Sequence, residues 1–338
     1  MESDMALFRP IVSLLLVITA AIEVYGCVCY VGQEPNPATG ERYGWSLAEQ
    51  RPCECTEFRL GGVNMKAQLK PYEMKIGQDC KKDQDALTNP PRQVPGSMKH
   101  VSVGAAGVWA VDVDDQIYYM GFRGCSNTLM QGGLHQLDVG MNSVWGTAHD
   151  DTIYYRQFDV SNPDMTAGWT HVGGFLKHVS VSQKGHVWGV NSGNYIYHRL
   201  GANVNRIPGD GWLQITGTLV KQISVGSGGV WGITLDNKPT YRLGTYGDPD
   251  SDPNGSLWQI ARPTDDVSLK YVSSGDVIYA VDVNDAIYYR AGISAETPTG
   301  TAWRKIGGNL KQIEAVSGTF WGVDAENNVY TNESVSFC

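Results

Sequence analysis

One motif recurs six times along this chain, and its recurrence constrains the fold more than any other feature. Its centre is an aromatic residue in a strand-like setting, as in Val108-Trp-Ala-Val-Asp112, followed by an Ile-Tyr-Tyr type of segment. The six aromatic anchors are Trp109, Trp145, Trp188, Trp231, Tyr279 and Trp321, at intervals of 36, 43, 43, 48 and 42 residues. A period of this length, rich in strand formers and Gly turns, is typical of a β-propeller or a related array.

Each repeat divides into four short strands. The first carries a Trp three residues before an aliphatic residue, the second is of the Leu-Lys-x-Val-Ser-Val type, the third is Val-Trp-Gly-Val and the fourth is Ile-Tyr-Tyr-Arg. Asp, Asn or Gly pairs separate the third strand from the fourth, and such pairs suit two-residue hairpin turns because these residues tolerate positive φ. One blade cannot bury both faces of its sheet without neighbours. The sequence therefore predicts an all-β fold, a six-bladed β-propeller with four short antiparallel strands per blade.

The number of blades has an alternative. The first two repeats lack the leading Trp, although Arg92-Gln-Val94-Pro-Gly96 otherwise fits the first strand. Five blades plus a divergent piece is therefore the competing interpretation.

The N-terminus has the features of a secretory signal peptide at residues 1–26. Arg9 precedes an apolar run from Ile11 to Ile22, and the following residues suit cleavage before Cys27. The run is too short to span a bilayer, and a short buried helix is the alternative. We expect a secreted, extracellular protein. The net charge of −9 argues against a general affinity for nucleic acid or anionic membranes.

Residues 27–91 form a predicted Cys-rich segment, and residues 92–338 form the predicted propeller. In an oxidising compartment we expect disulfides, although the two C-x-C pairs would also suit zinc. Because the number of cysteines is odd, at least one is free or pairs with another chain. The seven candidates are Cys27, Cys29, Cys53, Cys55, Cys80, Cys125 and Cys338.

The combined pattern, with Trp-Gly and Tyr-x-Arg at matched offsets in most copies, resembles the tectonin repeat over about residues 92–337. Fish egg lectins and tachylectins are built on this unit. The resemblance implies a six-bladed propeller that binds carbohydrate, such as microbial lipopolysaccharide or N-acetylated sugars, in innate defence or egg protection. It implies no catalysis, and residues 27–91 depart from the simple members.

A subset of that family matches the additional features. The tachylectin-like light chains of mollusc egg perivitellins are similar in architecture, with a tectonin propeller attached by a disulfide to a pore-forming partner chain. The odd cysteine and the Cys-rich segment suit such an arrangement. The alternative function is thus a disulfide-linked lectin subunit, a toxin light chain that targets a partner chain to cell-surface glycans.

Two sets of repeated residues are candidates for carbohydrate binding. An indole at the start of a strand can stack on a pyranose ring, whereas core packing is the alternative for each Trp. Arg suits bidentate phosphate contact, and its alternative is pairing between blades. We interpret the Val-Trp-Gly tryptophans as packing between blades. The candidates are Trp169, Trp212, Trp258, Trp303, Arg156, Arg199, Arg242 and Arg290.

The longest insertion contains a weak calcium candidate. Asp250, Asp252 and Asn254, followed by Gly255, reproduce the first half of a calcium loop, but the twelfth position is Ala261 rather than Glu. A solvated acidic turn is the alternative, and no cofactor is expected to be required. Asn254 and Asn332 begin glycosylation motifs.

The sequence does not indicate an enzyme. It contains no Gly-x-Ser-x-Gly or His-Glu-x-x-His motif. His100, His135 and His178 occupy related second-strand positions, which repeat geometry explains better than a metal site does.

Overall fold

The computed structural model of the chain describes residues 90–121, 126–158, 167–261, 267–316 and 318–333. Nearer the N-terminus it describes the backbone of β1 (Val31–Gly32), β2 (Trp45–Ser46), β3 (Arg59–Leu60) and β4 (Val63–Asn64), which pair antiparallel as β1–β2 and β3–β4. The chain divides into two compact units, Met1–Asp85 and Ala86–Cys338. The predicted signal peptide and all seven cysteines lie outside the described residues. Within the described part, no helix is long and apolar enough to cross a membrane.

Six four-stranded antiparallel sheets form the second unit. The first sheet contains β6 (His100–Gly104), β7 (Gly107–Val111), β8 (Gln116–Gly121) and β9 (Thr128–Gly133). The second contains β10 (Gln136–Val139), β11 (Ser143–Thr147), β12 (Thr152–Gln157) and β13 (Thr170–Phe175). The third contains β14 (His178–Val181), β15 (Val187–Val190), β16 (Ile196–Arg199) and β17 (Trp212–Ile215). The fourth contains β18 (Val220–Gly226), β19 (Gly229–Thr234), β20 (Pro239–Arg242) and β21 (Trp258–Ile260). The fifth contains β22 (Leu269–Ser274), β23 (Ile278–Asp282), β24 (Ala286–Ala291) and β25 (Ala302–Asn309). The sixth contains β26 (Gln312–Val316), β27 (Thr319–Val323), β28 (Asn328–Thr331) and β5 (Arg92–Ser97).

The first strand of each sheet lies at the centre of a ring. Each of β6, β10, β14, β18, β22 and β26 contacts its counterpart in the next sheet, and β26 contacts β6. The fold is therefore a six-bladed propeller with four antiparallel strands per blade, and the predicted fold is confirmed.

The sixth blade is completed by the first strand of the ring. β5 pairs with β28, so Val94 lies opposite Val329. The alternative with five blades and a divergent piece is therefore wrong. Blade boundaries also differ from sequence-repeat boundaries by one strand, because the Trp-bearing strand that opens a repeat is the outermost strand of the preceding blade. Trp212, for example, lies opposite Arg199 at the edge of the third blade.

The aromatic anchors fill the spaces between blades. All six side chains are at most 1% exposed, and Trp109 of the first blade packs against Leu137 and Val144 of the second. Burial of a side chain of this size contributes about 2–3 kcal/mol. The interpretation of the Val-Trp-Gly tryptophans as blade packing is confirmed.

The Gly that follows several of these tryptophans makes room for a neighbouring side chain. A Cβ on Gly189 would lie 2.4 Å from Cδ1 of Leu176, and a Cβ on Gly146 would lie 2.5 Å from Cδ1 of Leu134. These leucines precede the inner strands of their blades. The Trp-Gly pair therefore combines a large side chain on one face of the blade with a space for Leu on the other.

The hairpin turns adopt the expected conformation. One residue of each hairpin turn has φ between 64° and 71°: Asp115, Asp151, Asn194, Asn237, Asp285 and Asn327. In five blades a lysine at or just before the start of the inner strand contacts this side chain in its own blade, namely Lys99, Lys177, Lys221, Lys270 and Lys311. The second blade has His135 in the lysine position.

Candidate functional site at the blade junctions

Three of the predicted arginines lie over the predicted tryptophans. The Arg lies at or next to the end of the third strand of a blade and the Trp at or next to the start of the fourth, so strand pairing places them opposite each other. The distance from guanidinium Cζ to the ring centroid is 5.2 Å for Arg199 and Trp212, 5.5 Å for Arg242 and Trp258, and 5.3 Å for Arg290 and Trp303. Each pair has the geometry of a cation–π interaction.

The same arginines hold the loop between the third and fourth strands. Nε of Arg199 donates to the carbonyl of Pro208 at 2.9 Å, and Nε of Arg242 donates to the carbonyl of Asn254 at 2.8 Å. All four predicted arginines are at most 7% exposed. An external phosphate would have to replace these internal bonds in order to reach the guanidinium groups.

Arg156 differs from the other three. Its Cζ lies 5.7 Å from the ring centroid of Trp109, the buried anchor of the preceding blade. Trp169, the outer-strand tryptophan of the same blade as Arg156, instead meets Trp109 edge-on, with ring centroids 6.4 Å apart. The cation–π contact of Arg156 is therefore with the anchor Trp109, and Trp169 packs against that same anchor.

Trp169, Trp212 and Trp258 remain partly exposed, whereas Trp303 is 4% exposed. The indole Nε1 of Trp169 donates to the carbonyl of Gln131 at 2.9 Å. That of Trp212 donates to the carbonyl of Gly173 at 2.8 Å. Both acceptors belong to the outermost strand of the preceding blade, so these indoles lie in grooves between blades and their orientation is fixed.

Glycines that the sequence analysis did not identify lie beneath two of these rings. A Cβ on Gly132 would lie 2.9 Å from Cδ1 of Trp169, and a Cβ on Gly174 would lie 3.0 Å from Cδ1 of Trp212. Both glycines have positive φ, which disfavours a side chain as well. The signal in the sequence is a Gly-Gly pair near the end of the outermost strand.

Polar side chains that the sequence analysis also missed alternate around the axis. Equivalent positions of the six inner strands hold His100, Gln136, His178, Gln222, Tyr271 and Gln312 in successive blades. Each Gln joins its blade to the next: Oε1 of Gln136 accepts from the N–H of Val179 at 3.0 Å, and Nε2 donates to the Val179 carbonyl at 2.8 Å. His135 precedes this position by one residue, so the prediction that it is equivalent to His100 and His178 is wrong.

The three rings converge at the axis. The ring centroids of His178 and Tyr271 are 5.8 Å apart, and those of His100 and Tyr271 are 6.5 Å apart. Burial lowers the pKa of His178 to about 4. Burial and the neighbouring His178 lower the pKa of His100 well below its ordinary value. The histidines at the axis are therefore neutral at pH 7.

Two buried carboxyl groups lie beside these rings and line a cavity of about 190 Å³. Asp138 accepts from Oγ of Ser102 at 2.6 Å, and Glu314 accepts from the hydroxyls of Tyr271 and Ser273 at 2.7 and 2.8 Å. Burial raises the pKa of both carboxyl groups. These bonds join neighbouring inner strands, so the cluster contributes to closure of the ring.

The predicted calcium loop is held by basic side chains. Nζ of Lys184 donates to the carbonyls of Gly247 and Asp248 at 3.1 and 2.8 Å. The ring of His186 lies between two carboxylates, 2.7 Å from Asp248 and 3.3 Å from Asp250. The loop of the fourth blade is thus attached to the third blade by contacts that place an ammonium group on its backbone oxygens.

The two glycosylation candidates differ in exposure. Asn254 is partly exposed, and its Oδ1 lies 2.8 Å from Nδ1 of His198. Asn332 is 2% exposed, and its Oδ1 accepts from the N–H of Phe320 at 2.6 Å. A glycan on Asn332 would require this side chain to leave the interior.

The match to a known protein family agrees with the repeat pattern. Residues 84–265 and 263–338 match the tectonin domain family. The perivitellin-2 31 kDa subunit of Pomacea maculata is 32% identical over 88 residues, which cover 26% of this chain and 29% of that subunit, so the match spans less than a third of the relative's length. Among solved structures, yeast RCC1 (Prp20) bound to Kap60 has a TM-score of 0.45 at 13% identity over 68% of each chain. Human WBSCR16 has a TM-score of 0.44 at 9% identity over 71% of this chain and 77% of that chain.

The tectonin match extends over more than half of the chain and includes all the strands of the six-bladed ring. The protein is a lectin-like β-propeller that belongs to the tectonin family.

Proposed function

We propose that the protein is a secreted lectin that binds glycans at several of its blade junctions. The candidate ligands are microbial lipopolysaccharide and N-acetylated sugars, in innate defence or egg protection, and the proposed activity is binding without catalysis. The observation that carries the proposal is the recurrence of a partly exposed indole that lies against a glycine of the preceding blade, at Trp169, Trp212 and Trp258.

A groove of this kind suits a sugar ring physically. An indole presents a rigid apolar surface with little conformational entropy to lose, and the neighbouring strand edge offers backbone polar groups. One shallow groove binds weakly. Several similar grooves on one ring engage a dense glycan surface through effective concentration, and avidity then exceeds single-site affinity by about 10²–10⁴.

The experiment compares exposed tryptophans with a buried one. The triple variant Trp169→Leu, Trp212→Leu, Trp258→Leu is expected to lose at least about 100-fold in avidity for a lipopolysaccharide-coated or glycan-coated surface. Trp303→Leu is the control, because Trp303 lies under Arg290 much as Trp212 lies under Arg199 but has almost no exposed surface. Near-UV circular dichroism verifies folding. Equal avidity of the triple variant and the wild type, or no binding of the wild type to dense glycan arrays, would contradict the proposal.

A second candidate is a lectin subunit that is linked by a disulfide to a partner chain, which it targets to cell-surface glycans. The matched relative is named as a subunit, and this chain has an odd number of cysteines. A pore-forming chain is the partner class that we propose. Electrophoresis of the native protein without and with reductant tests this, since a band that falls in mass on reduction supports a partner. A monomer band under both conditions rejects it.

A further inference from the structure

The strongest departure from the repeat lies between the hairpin turns of the first and second blades. Near the start of the inner strand, five blades have Lys at the position where the second blade has His135. At the second position of the hairpin turn, the second blade has His149, where the others have Val113, Ser192, Leu235, Val283 and Ala325. Both departures introduce an imidazole, and both imidazoles lie beside Asp115 of the first blade.

The blade architecture explains why these residues meet. The N–H of Leu134 donates to the carbonyl of Asp115 at 3.0 Å, which places His135 beside the preceding turn. At the next junction, Ser192 occupies the position of His149 and its hydroxyl contacts the carboxylate of Asp151. Successive hairpin turns therefore contact each other at more than one blade junction. At the junction of the first and second blades, the side chains that the second blade contributes to this contact are imidazoles, which can bind a metal ion.

The distances fit a metal ion. Nδ1 of His135 and Nδ1 of His149 are 3.3 Å apart. The Asp115 carboxylate lies 3.6 Å from Nδ1 of His135 and 3.8 Å from Nδ1 of His149. Two ligands on a tetrahedral zinc ion, at bond lengths of about 2.0–2.1 Å, are about 3.3–3.4 Å apart. Each separation therefore needs a contraction of about half an ångström or less.

We propose that Asp115, His135 and His149 bind a divalent transition-metal ion of the zinc class, with water completing the coordination. Within the described residues, these three form the group of His, Cys, Asp and Glu side chains whose ligand atoms converge. Two imidazoles and one carboxylate suit zinc, whereas calcium and magnesium prefer oxygen ligands. The ion would join the turns of two neighbouring blades.

Lys99 competes for this position. Its ammonium group contacts the Asp115 carboxylate and lies 3.4 Å from Nδ1 of His135. The Lys99 side chain is flexible and can move its ammonium group into solvent. The metal ion would then take the place of this ammonium group beside the Asp115 carboxylate. The imidazoles are 49% and 81% exposed, which leaves the site open to entry.

The site is separate from the proposed glycan grooves. The hairpin turn precedes the third strand of a blade, whereas the Arg that contacts an outer-strand Trp ends that strand. The two features therefore lie at opposite ends of the blade, and the metal proposal stands independently of the lectin proposal.

The experiment titrates the metal-free, oxidised full chain with ZnCl₂ by calorimetry and with CoCl₂ by absorption spectroscopy. The variants His135→Lys and His149→Val introduce residues that other blades already use, so the fold is expected to persist. Loss of an outer-shell partner alone weakens metal binding by about 10–100-fold, so loss of a ligand is expected to weaken zinc binding at this site by at least about tenfold. The double variant is expected to bind one zinc ion fewer per chain. His171→Gln, on an exposed strand, is the control.

Lys99→Met is expected to tighten zinc binding, because it removes the competing ammonium group but retains most of the stem. Cobalt bound at this site is expected to show d–d bands that the double variant loses, without a thiolate charge-transfer band. Wild-type affinity and stoichiometry in the double variant would overturn the proposal. Cobalt spectra showing only thiolate ligation would overturn it as well, since the ion would then occupy cysteines.

Discussion

The guanidinium of Arg199 lies 5.2 Å from the ring centroid of Trp212, its partner across the strand pair, and its Nε donates to the carbonyl of Pro208. One side chain thus joins the third strand, the outermost strand and the loop between them. The pair fixes the indole in its groove, so the stability of the blade edge and the shape of the proposed binding surface depend on the same contact.

Replacement of this arginine is expected to destabilise the protein. Arg199→Met retains an apolar stem but removes the cation–π contact and the bond to the loop, and the expected loss is about 1–3 kcal/mol in the free energy of unfolding. Urea denaturation measures it. Arg304→Met, on the exposed face of β25, is the control and is expected to change stability by less than about 0.5 kcal/mol. Equal effects of the two variants would show that the Arg–Trp pair is energetically neutral.

Closure of the ring by β5 leads to a second prediction. Val94 is fully buried and lies opposite Val329, so Val94→Ala removes two methyl groups from the closing blade. We expect a loss of about 1–3 kcal/mol, and a double-mutant cycle with Val329→Ala is expected to be non-additive because the two residues are paired. Gln93→Ala, at an exposed position of the same strand, is the control. Additive losses from the two valines would argue against closure by this pairing in solution.

The axial histidines predict a dependence of stability on pH. Burial lowers the pKa of His178 to about 4, whereas an imidazole in the unfolded chain titrates near its ordinary value of about 6.5. Between these values the unfolded chain binds the proton more readily. The contribution of this residue is therefore complete above about pH 6.5 and is lost as the pH falls towards 4, by up to about 1.4 kcal/mol per pH unit.

His178→Gln places at this position the residue that the neighbouring blades use. The variant is expected to have a shallower slope of unfolding free energy between pH 6.5 and 4 than the wild type. His171→Gln is expected to follow the wild-type curve, because that side chain is exposed on an outermost strand. Parallel curves for wild type and His178→Gln would contradict the assignment.

The loop around Asp250 permits a prediction about calcium. Lys184 already donates to the carbonyls of Gly247 and Asp248, and the loop lacks a bidentate Glu. We expect wild-type affinity for calcium to be no tighter than a dissociation constant of about 1 mM. Titration with a calcium indicator measures it, and Lys184→Met is expected to tighten binding. Micromolar affinity in the wild type would instead favour the calcium site predicted at Asp250, Asp252 and Asn254.

The periodic features were predictable because they recur. The buried aromatic anchors and the hairpin turns follow from residues that return at matched offsets, such as Trp188 and Asn194. The assignment of Arg92–Ser97 to the sixth blade was not predictable in the same way. An outermost strand has the same local pattern whether it belongs to the blade before or after it, and only pairing with the distant β28 decides between them.

The departures from the repeat were harder to interpret than the repeat itself. His135 and His149 are single substitutions in different strands and turns, and only the spacing of successive blades brings them to Asp115. The pairing of Arg199 with Trp212 was likewise hidden, since the two residues are separated by a loop whose length varies between blades.

The alternation of glutamines with aromatic rings at the axis limits how the number of blades in this propeller can change. Gln136, Gln222 and Gln312 each bond the inner strand that follows, and His100, His178 and Tyr271 occupy the intervening places. Loss or duplication of a single blade would place two aromatic rings, or two side-chain amides, next to each other at the axis. The smallest increment that preserves the pattern is a pair of blades, so descendants of this sequence should gain or lose blades in twos.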